Sequence, residues 1–190
     1  MHATACPLGD GFRVRHDEVC KTLNDVFQRL PGVSVLAQYA DKTNDDLVVD
    51  FVLTHFPDMG TVTHFEVSVI SHLQDRFLRS EPGTAGRTRD QEKARKYLES
   101  TRAAHAKFHS GSFEVSGRPS RGMNAVLGHI VRLHDRDQFE LSGPSRTWAC
   151  MRFKQYLYQR IAIAFWTGAA AMERTRTRIN TAAAAHSLRA

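Results

Sequence analysis

Two β-prone runs separated by a short turn constrain this chain more than any other feature. The first, residues 47–53, reads Leu-Val-Val-Asp-Phe-Val-Leu, and the second, residues 62–70, is rich in Val, Thr, Phe and Ile. Between them Phe56-Pro57-Asp58-Met59-Gly60 is a turn sequence, so the two runs are close enough to form a hairpin. A third β-branched stretch, residues 33–37, precedes them. Upstream, Val19, Leu23, Val26, Phe27 and Leu30 recur at spacings of three and four, which predicts an amphipathic helix over residues 15–30, stopped by Pro31-Gly32.

Downstream, residues 82–89 are Gly-, Thr- and Arg-rich and read as exposed loop. Residues 90–108 are polar and helix-prone, residues 112–116 a short strand, and residues 123–133 a helix that Ser120 can cap. Residues 134–145 are polar. A long helical pattern then runs over 146–179, with a break expected near Gly168. The order is helix, three strands, helix, strand, helix, helix. It predicts an α/β (α+β) domain: a small mixed sheet, a three-strand meander plus one further strand, flanked by helices and followed by a long C-terminal helix.

Composition narrows the class. The chain has 190 residues, 42% hydrophobic and 24% charged, which suits one folded domain rather than a disordered chain. Its three cysteines, Cys6, Cys20 and Cys150, are widely spaced, which argues against a disulfide framework and for a reducing compartment. No apolar run is long enough for a transmembrane helix, and the first residues lack the pattern of a signal peptide. An intracellular protein is expected, nuclear if the host is eukaryotic, with no membrane partner. The net charge of +6 is unevenly placed. From Arg146 onward there are eight Lys or Arg and one acid, Glu173, whereas the first 145 residues are nearly neutral. Such a basic block can track phosphates or be a solvated helix face.

The acids on the hairpin carry the chemical signal. Asp46 stands where the turn enters the second strand, and Asp50, four residues on, is expected on the same face. Glu66 lies inside His64-Phe65-Glu66-Val67-Ser68-Val69, where a carboxylate is costly unless it is paired or bound to a metal. Two carboxylates facing each other across a hairpin form a hard, oxygen-rich site suited to Mg²⁺ or Mn²⁺. Either could instead be an edge carboxylate that meets water or an arginine.

These residues resemble the PD-(D/E)XK restriction-like nucleases, and more narrowly the endonuclease domain that follows the reverse transcriptase in certain non-LTR retrotransposons. The resemblance rests on Arg15-His16-Asp17 opening a helix, and on Asn44-Asp45-Asp46-Leu47-Val48-Val49 in place of a "(K/R)PD" strand. It continues with Glu66-Val67-Ser68-Val69 in place of "DVTV", and with Lys93-Ala94-Arg95-Lys96-Tyr97 on the next helix. Phe113 to Gly117 and the helix from Arg146-Thr147-Trp148 complete the order. The match spans residues 12–180, followed by an Ala-rich tail over 181–190 that is expected to be flexible.

The resemblance implies a metal-dependent DNA endonuclease domain of a mobile element, a hydrolase that nicks target DNA beside a reverse transcriptase partner. Asp46 and Glu66 would be metal ligands, with Asp50 and Glu18 as further acids, and Glu18 is equally an i,i+3 partner for Lys21. Ser68 stands where the in-strand lysine is usual, so a lysine from the following helix is expected there: Lys96, with Lys93 behind it. Tyr97 would pack its ring on the sheet. Arg87, Arg89, Lys93, Arg95, Arg102, Lys107, Arg152 and Lys154 would meet phosphates. Residues 1–11 resemble a degenerate zinc knuckle, Cys6 being followed by Gly9 instead of a second cysteine. Cys6, His16 and Cys20, with His2, form an incomplete ligand set, and the preferred reading has Cys20 in the core and no zinc. The aromatic residues Trp148, Phe153, Tyr156, Tyr158, Phe165 and Trp166 are expected to be core rather than stacking platforms for bases. The "PD" proline is absent. Two other readings suit the same residues: a catalytically inactive relic or nucleic-acid-binding module of this fold, and a helical protein-interaction module.

Overall fold

The computed structural model describes residues 11–38, 48–136 and 152–187. Helix α1 (Gly11–Phe27) leads into β1 (Ser34–Ala37), β2 (Phe51–Thr54) and β3 (Val62–Ile70). A 3₁₀ turn at Asp75–Phe77 precedes helix α2 (Thr84–Ala103), strand β4 (Lys107–Glu114), helix α3 (Arg121–Arg136) and helix α4 (Phe153–Ser187). The sheet order is β1-β2-β3-β4. β1, β2 and β3 pair antiparallel. β4 lies parallel to β3 over eight residues, so α2 is the crossover between them. This is the mixed four-strand sheet with flanking helices that the sequence predicts. Among the described residues no helix is long and apolar enough to cross a membrane.

Alternation along β3 sorts the two layers. Phe65 and Val67 enter one core with Val19, Leu23 and Phe27 of α1, Phe113 of β4, Leu127 and Ile130 of α3, and Leu157 and Ile161 of α4. Glu66 points to the opposite side, where Lys93 and Tyr97 of α2 meet it. The Tyr97 ring stacks on Phe108 of β4, centroids 5.4 Å apart, and so does pack on the sheet. Ile70, Phe77 and Ala85 form a small apolar cluster of their own.

Several boundaries differ from expectation. α2 starts at Thr84 rather than near residue 90, behind Gly83 at φ 90°. Its first turn packs through small residues, the buried Ala85 and Gly86, which leave no apolar periodicity to read. β4 begins at Lys107, five residues early: Lys-Phe-His-Ser-Gly-Ser-Phe-Glu has little β-propensity, and pairing with β3 along its whole length imposes the strand. Ser120 does cap α3, its Oγ accepting the Met123 N–H at 3.1 Å.

α4 runs unbroken through Gly168. The glycine is there for closeness rather than for a bend. A Cβ at position 168 would lie 2.7 Å from the Arg15 Cα of α1. Arg15 itself is buried at this crossing and donates to Met172 Sδ at 3.4 Å; burial lowers its pKa. Gly168→Val should therefore cost about 1–3 kcal/mol by forcing two helix backbones apart, measured as a shift in the urea midpoint. A midpoint unchanged from wild type would mean that the crossing relaxes freely.

Candidate functional site

Glu66 is the centre of the site. It is 2% exposed, in the middle of β3, opposite Ser110 of β4. Its Oε1 accepts Lys93 Nζ at 2.5 Å. The Tyr97 hydroxyl lies 3.4 Å from the same oxygen and 3.3 Å from the Val48 carbonyl oxygen, with one proton to share between them. The Lys93 side chain is 14% exposed, so the pair is largely withdrawn from water. Both α2 residues come from the helix face that meets the sheet, one turn apart.

Another acid on that face was not singled out from sequence. Asp90 accepts the Ser110 hydroxyl at 3.1 Å, and burial raises its carboxyl pKa against the opposing hydrogen bonds of Ser112, Ser120, Ser110 and the Gly122 N–H. Its signal was present in the sequence: an acid three residues before Lys93 and seven before Tyr97, on the same helical stripe.

The lysine beside Glu66 is Lys93. Lys96 is exposed, its Nζ 5.3 Å from the centre of the Tyr97 ring, at the rim of the site. Glu18 lies on the solvent side of α1 and pairs with Lys21 at 2.8 Å, so it adds no acid beside Glu66. Asp46 lies outside the described residues. Val48, two residues after it, is the residue whose carbonyl reaches Tyr97.

Asp50 lies on the α1 side of the sheet, away from Glu66. β2 begins only at Phe51, so Asp50 sits at a bend ahead of the strand, where alternation does not govern it. Its Oδ2 accepts the Val67 N–H at 2.7 Å and lies 3.3 Å from His16 Nε2. The His16 ring also lies 3.5 Å from Cys20 Sγ through Nε2, and 3.0 Å from Asp17 Oδ1 through Nδ1. His16, Cys20 and Asp50 thus gather a nitrogen, a sulfur and a carboxylate oxygen within 4.8 Å of one another, a group able to hold a metal ion. Burial opposes charge on His16, but Cys20, Asp17 and Asp50 outweigh it and raise its pKa. Burial pushes the Cys20 thiol up to about 12. Cys20 is in the core, as expected, and Cys6 lies outside the described residues.

The cationic residues divide by partner. Arg87, Arg95 and Arg102 of α2 and Lys107 of β4 are exposed, as are Arg152 and Lys154 at the start of α4. Arg89 is half-buried and tied to Glu92 at 3.1 Å, which Arg76 also holds, and these two arginines lower the Glu92 pKa. Of the α4 aromatics, Phe165 is core, while Trp166 is 77% exposed and Tyr158 is at the surface. The helix outruns the core it packs on, and among the described residues no layer covers its far side. Trp148 lies outside the described residues.

No family model matches the chain, and no curated protein matches it. The fold and the site together define a mixed α/β domain whose crossover helix delivers a lysine and a phenol to an acid buried in the central strand.

Proposed function

We propose that this chain is a restriction-like nuclease domain that hydrolyses phosphodiester bonds in DNA, as in the endonucleases of non-LTR retroelements. The observation that carries the reading is the Glu66–Lys93 contact. The resemblance implies an acid in the third strand and a lysine from the following helix, expected at Lys96; it is Lys93, the residue behind it, that reaches Glu66. The order helix, three-strand meander, crossover helix, strand supports it.

The residues suit a hard divalent ion in part. Glu66 offers a carboxylate, and Asp46 would be the second oxygen ligand; Asp50 is engaged with α1 instead. Mg²⁺ or Mn²⁺, when bound, would supply charge stabilisation and an acidified water. Lys93 would orient the attacking water or neutralise charge building on the phosphate. Tyr97 would hold the Glu66 carboxylate in place. Arg87, Arg95, Arg102 and Lys107, on α2 and the start of β4, would take the DNA backbone, with Arg152 and Lys154 as further contacts. A reverse transcriptase of the parent element would be the partner, and the compartment would be the one that holds its target DNA.

The burial of Glu66 favours one other reading, an inactive relic in which Glu66–Lys93 is only a structural ion pair. A supercoiled-plasmid nicking assay with Mg²⁺ or Mn²⁺ separates the two. The nuclease reading expects metal-dependent nicking that falls by about 100-fold or more in Glu66→Gln and in Lys93→Met, with Lys96→Ala within a few-fold of wild type. Absence of metal-dependent nicking by folded protein, or nicking indifferent to both substitutions, would sink it.

A further inference from the structure

The second cluster lies on the α1 side of the sheet and uses none of the residues assigned to phosphodiester chemistry. We infer that His16 Nε2, Cys20 Sγ and Asp50 Oδ2 are three ligands of a zinc ion that ties α1 to the sheet. The argument is geometric. Zinc bonds of about 2.0 Å to nitrogen and oxygen and about 2.3 Å to sulfur, set at the tetrahedral angle, place nitrogen and oxygen about 3.3 Å apart and nitrogen and sulfur about 3.5 Å apart. The observed separations are 3.3 Å and 3.5 Å. The remaining edge, from sulfur to a carboxylate oxygen of Asp50, is within 4.8 Å; a bound ion would draw it in to about 3.5 Å.

The surroundings are those of a ligand set. Asp17 Oδ1 stands 3.0 Å from His16 Nδ1, the carboxylate–histidine arrangement that fixes which ring nitrogen faces a metal. The Val67 N–H anchors the Asp50 carboxylate at 2.7 Å. His16 and Cys20 are four residues apart on one helix, so α1 presents them as a pre-aligned pair. The His16 side chain is 21% exposed, while Cys20 and Asp50 are buried, so the cluster reaches solvent at its histidine.

The donor chemistry selects the metal. One thiolate, one imidazole and one carboxylate suit zinc; a sulfur ligand is foreign to Mg²⁺, which prefers an all-oxygen octahedron. This site is therefore separate from any Mg²⁺ or Mn²⁺ at Glu66. It shares His16 and Cys20 with the incomplete ligand set read from the sequence, and brings in Asp50, which that set did not contain.

The test uses the full chain carrying Cys6→Ser and Cys150→Ser, so that Cys20 is its one thiol. The metal-free protein is titrated with Co²⁺ and then with Zn²⁺. One equivalent of Co²⁺ should give the visible bands of a tetrahedral site and a thiolate-to-cobalt charge-transfer band in the near ultraviolet, and Zn²⁺ should displace it. Adding Cys20→Ser should remove the charge-transfer band and weaken zinc binding by about 100-fold or more, and Asp17→Asn, on the helix surface, should weaken it by about 10-fold. An octahedral cobalt spectrum without charge transfer would overturn the assignment. So would zinc affinity unchanged by Asp17→Asn and Asp50→Asn. Both readouts are independent of nicking, so this inference and the nuclease reading stand or fall separately.

Discussion

Glu66→Leu should destabilise the chain by about 3 kcal/mol, and so should Lys93→Met, while the two together should recover more than half of that loss. Each single change removes one half of a largely buried ion pair, so the desolvation of the remaining charge is less well offset. The pair lies 2.5 Å apart at 2% and 14% exposure, so solvent does little to soften the effect. The double change replaces both charges by apolar groups of similar length, which buried sites often accept at little cost. Urea midpoints for the four proteins give the coupling directly. Additive losses would show that the two side chains do not depend on one another. The double variant also bears on function: a protein restored in stability yet inert in nicking would separate the chemistry of Glu66 from its structural role.

The other large effect is expected at Phe27, the last residue of α1. Its ring stands edge-on to Phe51, Phe56 and Phe65, at 5.6, 5.5 and 5.8 Å between centroids. Phe27→Ala would remove the ring shared by the helix and by β2, β3 and the turn that joins them, leaving a void lined by three aromatic faces. The expected loss is about 3–5 kcal/mol. Thermal or denaturant unfolding measures it, and a loss below 1 kcal/mol would mean that the neighbouring rings collapse into the space. Because Phe51 and Phe65 flank Asp50 and Glu66 in sequence, both clusters should loosen as well.

How far the sequence is legible follows from these same residues. The hairpin, α1 and α3 are readable because apolar side chains recur at the spacing of the element they form. β4 is not, because its pairing with β3 supplies what its own side chains lack. The site shows the same division. Glu66 announces itself as an acid among Phe, Val and Ile. Choosing between Lys93 and Lys96 depends on the rotational phase of α2, which the polar start of that helix conceals. Tyr97 holds the phase: once its ring is placed on the sheet, the lysine one full turn earlier, Lys93, shares its face, and Lys96 falls to the rim. Asp50 is hard to place for a related reason. Alternation holds only from Phe51, where the strand begins, and a residue at a bend points where its hydrogen bonds take it. The meeting of His16, Cys20 and Asp50 joins residues 30 and 34 positions apart, and only half of it, the i,i+4 pair on α1, is visible in one dimension.

The Asp50 to Val67 hydrogen bond has a consequence for inheritance. The N–H that Asp50 accepts belongs to the peptide unit whose other half is the Glu66 carbonyl, and that unit is planar. One rigid plate therefore carries the acid of one cluster at its near edge and is gripped by the acid of the other. A lineage that altered Asp50 would remove the side-chain acceptor of the Val67 N–H, next to Glu66, without touching Glu66 itself. The two clusters share no side chain, yet they are expected to drift as one unit, since no change at that peptide stays within a single layer.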